Sequence, residues 1–239
     1  MEQLIDLLRE KTERLKKQSP AIDLSDTALD QLYAVYPFNR FEYVFAHLIA
    51  GKIITLDEYL QIRRAYEKRN KYLHVFEITA PRTFGEQWAQ KHLNELLPAL
   101  KKPSKQLDPG YAGEYDFWLD GIKIEVKASR AVKRKSGDPL IFKALSSDSK
   151  FGFDMNFQQI KPKCCDVFVW IGVWRDLIRY WVLSSAEVQD NPYFSTGQHR
   201  GNTGEGQLWI KESNIEKFNG YEVAPDGLLK AIKRKGSRR

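Results

Sequence analysis

Residues 114–127 read EYDFWLDGIKIEVK, with apolar and polar side chains alternating on both sides of Asp120-Gly121. That dipeptide suits a two-residue type I′ turn, whose central residues both need positive φ, so the stretch predicts a β-hairpin. Pairing outward from the turn sets Leu119 against Ile122, Trp118 against Lys123, Phe117 against Ile124, Asp116 against Glu125 and Tyr115 against Val126. With a side-chain period of two, Tyr115, Phe117, Leu119, Ile122, Ile124 and Val126 share a core face, while Asp116, Trp118, Lys123, Glu125 and Lys127 share the other. Two carboxylates then face each other with Cβ atoms about 5 Å apart. Like charges about 4 Å apart repel by about 4 kcal/mol at an effective dielectric of about 20. A favourable cross-strand pair contributes only about 0.2–1 kcal/mol. A shared proton, the ammonium of Lys127, or a divalent cation between the carboxylates would each relieve the repulsion.

Outward from the hairpin the chain reads as alternating elements. Before it, Pro81 punctuates, and Thr83-Phe-Gly-Glu86 fits a capping box opening a helix that carries Trp88, Leu93, Leu96 and Leu97. After it comes a basic loop, then an expected helix over residues 154–160, then the apolar run 167–174, which reads as a fully buried strand. Residues 178–183 return beside that strand after a turn at Arg175-Asp176. Strand, crossover helix and buried strand predict a right-handed βαβ connection and hence a mixed sheet. A short helix from Ser184, a late strand over 207–210 and a helix over 226–233 complete this half. Residues 1–79 read as helical: a Leu4, Leu7, Leu8, Leu15 stripe, a segment over 26–36, another over 41–50 ending at Gly51, and one opened by the capping box Thr55-Leu-Asp-Glu58. The last two, joined by a short turn, permit a helix-turn-helix reading beside ordinary helix packing. The expected fold class is α/β (α+β): a central mixed β-sheet flanked by helices over 80–239, with a helical N-terminal region over 1–79.

The chain has 239 residues, 42% of them hydrophobic, enough for a sizeable core. Its net charge of +7 suits a polyanionic partner. No run of about 18 apolar residues occurs and residues 1–17 are amphipathic and charged, so a soluble cytoplasmic protein without a membrane partner is expected. Cys164 and Cys165 are adjacent, which disfavours a disulfide, and no further cysteine exists for a zinc site. His47, His74, His92 and His199 have no ligand spacing, and no Ser-His-Asp or P-loop pattern occurs. Any metal would therefore take oxygen ligands, which favours Mg²⁺ or Mn²⁺.

Asp116, eight residues, Glu125, one residue and Lys127 spell D-x8-E-x-K. In this the chain resembles the PD-(D/E)XK nuclease superfamily and, as a basic chain of this size, most nearly a type II restriction endonuclease. The resemblance covers the hairpin firmly and residues 81–183 in order of elements, but not the first 79 residues. Tyr115 stands where the family has Pro, and Asp108-Pro109 upstream has the pair reversed, leaving Asp108 as a minor alternative for the first acid. The second match, Asp148-Ser149-Lys150, lies in a polar stretch without strand alternation. The Q-x-x-x-Y pattern of the RecB-like branch is missing, which points to the restriction branch. The resemblance implies that Asp116 and Glu125 hold Mg²⁺ with the Val126 carbonyl, and that Lys127 orients the attacking water and stabilises charge on the phosphate. Glu86 is either a further acid of the site or only the capping residue. Gln158 and Gln159 lie either near the site or on a solvated helix face.

No acid interrupts residues 126–137, where Lys127, Arg130, Lys133, Arg134 and Lys135 would hold backbone phosphates. The stretch 196–207, TGQHRGNTGEGQ, gathers Gln198, His199, Arg200, Asn202 and Gln207, side chains suited to contacting DNA. The tail 230–239 carries six cations and reads as a disordered source of nonspecific attraction. The expected activity is Mg²⁺-dependent cleavage of double-stranded DNA at a specific sequence by a homodimer, whose two-fold axis would match a palindromic site. A structure-selective or repair nuclease, or a noncatalytic DNA-binding protein, are the competing readings.

Overall fold

The computed structural model describes residues 38–134, 137–197 and 205–237, together with 10, 13, 14 and 17. The helices expected over 4–15 and 26–36 lie wholly or largely outside them. The chain divides into two compact units, residues 1–59 and 60–239. In the first, α1 (Phe38–Ala50) ends before Gly51, and α2 (Leu56–Arg69) begins with the expected capping box. The Thr55 N–H donates to Glu58 Oε2 at 2.6 Å, and the Glu58 N–H donates to Thr55 Oγ1 at 3.1 Å. No helix among the described residues is long and apolar enough to cross a membrane.

The second unit is α+β. A 3₁₀ turn (Leu73–Glu77) and a π-helical segment (Thr83–Ala89) lead into α3 (Gln90–Leu96). Then come β1 (Phe117–Leu119), β2 (Ile122–Arg130), β3 (Val132–Lys133), the four-residue α4 (Leu140–Lys143), β4 (Phe153–Ile160), β5 (Val167–Val173) and β6 (Ile178–Ser184). The unit closes with α5 (Ser185–Gln189), β7 (Phe194–Thr196), β8 (Gly206–Lys211), β9 (Glu222–Val223) and α6 (Leu228–Gly236). One sheet runs β1-β2-β5-β6-β9 and is mixed, because β2 and β5 are parallel and the other pairs antiparallel. A second sheet, β3-β4-β8-β7, is wholly antiparallel.

β4 corrects the expected helix over 154–160. Phe153, Met155 and Phe157 are buried while Asp154 and Asn156 are half-exposed, a period of two that a strand on one core face requires. The link from β2 to β5 therefore carries a strand where the crossover helix was expected, and among its described residues the α-helical part is the four-residue α4. β5 is buried along its whole length because both of its faces are covered. Phe168 and Trp170 join Met155 and Phe157 of the second sheet, with the Phe157 and Trp170 rings 5.1 Å apart. Gly172 permits this closeness: a Cβ there would stand 2.6 Å from Trp181 and 3.1 Å from Met155.

Two further expectations fail. Thr83 and Glu86 form no capping box, since Pro81 already sits in the helical first turn, where its fixed φ and missing N–H are tolerated. Nor does the described part of the basic tail, to residue 237, dangle. α6 buries Leu228, Ala231 and Ile232, ties Lys235 to Glu187, and brings Gly236 against Ile122.

Candidate active site

The hairpin forms in the register set by its turn, with Phe117 opposite Ile124, Trp118 opposite Lys123 and Leu119 opposite Ile122. Asp120 and Gly121 take φ of 49° and 90°. Beyond Phe117 the ladder breaks. The Asp116 N–H donates to the Ile124 carbonyl at 3.0 Å, and Asp116 Oδ2 accepts the Val126 N–H at 2.8 Å. A side-chain oxygen thus takes the place of a ladder carbonyl. The break also corrects Tyr115, expected beside Phe117: it lies with Trp118, ring centroids 6.4 Å apart, under the Lys123 ammonium. Its hydroxyl donates to Asp108 at 2.9 Å, and Lys123 Nζ is 2.7 Å from the same carboxylate. Asp108, the alternative first acid, is engaged there and does not line the cleft that holds Glu125.

That cleft, about 1340 Å³, has Asp116, Glu125 and Lys127 on one wall and Asn156, Gln158 and Trp209 of the second sheet on another. The register explains the placement. Glu125 and Lys127 stand beside Phe168 and Trp170, whose side chains face the second sheet. The carboxyls of Asp116 and Glu125 lie close enough to perturb each other, and Lys127 Nζ lies 2.6 Å from Glu125 Oε1. Glu125 and Lys127 are only 17% and 16% exposed. Burial pushes the Glu125 carboxyl up to about 7, with Lys127 opposing and the Asp116 charge adding to the rise. Burial also raises Asp116, against the pull of the Val126 N–H and Lys127. The Lys127 ammonium, one of the three remedies anticipated for facing carboxylates, sits at the pair, and the raised Glu125 carboxyl favours the second, a shared proton.

The donors fit a hard divalent cation as the third. Val126 turns its N–H toward Asp116, and in an extended strand the carbonyl of the same residue points to the same side. Among the described residues no group of three or more His, Cys, Asp or Glu side chains could hold a metal. The available set is thus two carboxylates with backbone and solvent oxygens, which suits Mg²⁺ because it keeps several of its waters.

Sequence reasoning missed Gln90. Its Nε2 donates to Asp116 Oδ1 at 2.5 Å, and its Oε1 accepts from Lys102 Nζ at 2.5 Å. An ammonium can only donate, so Lys102 fixes which end of the Gln90 amide meets Asp116. Both oxygens of Asp116 are then oriented. The signal was helical spacing: Gln90 lies four residues beyond Glu86, on the same face. Glu86 itself lines the cleft but is exposed and paired with Arg82 at 2.7 Å.

The basic residues divide. Arg130 donates to the carbonyls of Val75 and Ile78 at 3.1 and 2.6 Å and stacks over Phe84, so it supports the fold rather than standing as a free cation. Arg134 pairs with Asp154 at 2.6 Å, and Lys133 lies over the Phe151 ring; both line the cleft. Gln207 sits on β8, accepting from Asn156 Nδ2 at 3.2 Å, rather than in a loop. Lys135, Gln198, His199, Arg200 and Asn202 lie outside the described residues. No protein-family model matches the chain, and no curated protein matches it.

Proposed function

We propose that the protein is a divalent-metal-dependent endonuclease that hydrolyses phosphodiester bonds of double-stranded DNA at a specific sequence, as type II restriction endonucleases do, and that it acts as a homodimer. One observation carries the reading: Asp116, Glu125 and Lys127 converge in one polar cleft, with Lys127 paired to the buried Glu125. A Mg²⁺ ion held by the two carboxylates would supply Lewis acidity toward the scissile phosphate and acidify a water. The chain's own groups do the rest. Asp116 is held rigid by Val126 and Gln90, so the acid pair needs little reorganisation to take up a cation. Lys127, anchored on Glu125, aims a donor into the cleft where charge develops on the phosphate oxygens. Arg134 and Lys133 on the neighbouring wall supply attraction for the DNA backbone, which falls as salt rises.

Incubating the full chain with a plasmid of known sequence in Mg²⁺ buffer should give discrete fragments, and chelating the metal should stop cutting. Intact plasmid with both Mg²⁺ and Mn²⁺ would defeat the reading. A smear, or cutting only at branched structures, would favour a nonspecific or structure-selective nuclease.

A further inference from the structure

We propose, resting on the nuclease reading above, that Gln158 and Gln159 of β4 read base edges of the DNA laid in the cleft. The register slips between Phe157, opposite Leu208, and Ile160, opposite Gly206, so β4 carries one residue more than β8 there. Phe157 and Ile160 are both buried, and the two glutamines between them are both exposed. Strict alternation would have turned Gln159 into the core. The bulge turns it outward instead, at φ 54°, a left-handed conformation that glutamine rarely adopts.

Both side chains line the same cleft as Asp116, Glu125 and Lys127, and neither has a hydrogen-bond partner among the described residues. Two adjacent unpaired amides beside a candidate cleavage site are chemically suited to one task above others. A primary amide presents a donor and an acceptor together, which matches adenine N6 and N7 in the major groove. Backbone strain of this kind clusters at ligand-binding sites, and here it places both amides in the cleft while leaving the core on either side intact. Asn156 and Trp209 form a cross-strand pair on the same face of the sheet and line the same cleft.

The test uses the full chain and a pool of duplexes with a randomised centre, recovering bound DNA without metal and sequencing it. Wild type should enrich a motif containing at least one A·T pair. A Gln158→Ala, Gln159→Gly double variant keeps the bulge, because glycine adopts positive φ freely. It should lose about tenfold or more of the preference at one or two positions of the motif. An unchanged motif in the variant, or no enrichment by wild type, overturns the inference. Enrichment by wild type without cleavage in Mg²⁺ or Mn²⁺ would instead sink the nuclease reading and leave this one standing.

Discussion

Asp116→Asn and Lys127→Met proteins should each lose Mg²⁺-dependent DNA cleavage by about 1000-fold, since each removes roughly 4 kcal/mol of transition-state stabilisation. Asparagine keeps an oxygen for the Val126 N–H but forfeits the charge that would hold a divalent cation beside Glu125. Methionine keeps the length of Lys127 but removes the ammonium that sits 2.6 Å from Glu125. Both side chains line the wall of the cleft and are not part of the Phe157–Trp170 core. Circular dichroism and melting temperature should therefore stay close to wild type while single-turnover cleavage of a plasmid collapses. Cleavage at wild-type rates by either variant would remove these residues from the chemistry.

The second large effect is a reversal of pH dependence by metal. Glu125 has a folded-state pKa raised to about 7, above its ordinary value of 4.5, so the folded protein binds more protons than the unfolded chain between those limits. Stability from this group is fully present below pH 4.5 and is lost as pH rises through about 7. At about 1.4 kcal/mol per pKa unit, metal-free protein should lose about 3–4 kcal/mol from this source. That corresponds to a fall of about 6–16 °C in melting temperature, at about 2–4 °C per kcal/mol for a protein of this size. Mg²⁺ competes with the proton, so its stabilising effect should be small at pH 5 and largest at pH 8. Glu125→Gln should flatten both trends. Thermal melts of wild type and Glu125→Gln at pH 5 and 8, with and without Mg²⁺, check this; equal Mg²⁺ shifts at both pH values would contradict it.

Local chemistry carried much of this into the sequence. Asp120-Gly121 fixed the register of the hairpin from Leu119 back to Phe117, because a two-residue turn leaves no freedom to slip; Asp116 reaches Glu125 beyond the break in that ladder, through its side chain. Thr55-Glu58 marked a helix start, and the run 167–173 marked a strand covered on both faces. What escaped depended on neighbours distant in the chain. Residues 153–160 carry a strand pattern as far as Phe157, but the bulge at Gln158-Gln159 breaks it and invites a helical reading. Tyr115 left its expected face because the Asp116 side chain, rather than a backbone carbonyl, took the Val126 N–H. Arg130 read as a loop cation, whereas the carbonyls that engage it belong to Val75 and Ile78, more than 50 residues earlier. Gln90 escaped because a glutamine on a helix acquires a role only from what packs opposite it.

Titration calorimetry with Mg²⁺ at pH 6 and pH 8, in buffers of differing ionisation heat, measures the exchange at the acid pair most directly. Saturable binding to one site is predicted, releasing close to one proton at pH 6 and close to none at pH 8, and abolished by Asp116→Asn. No saturable binding, or identical binding by the Asp116→Asn protein, would contradict the account.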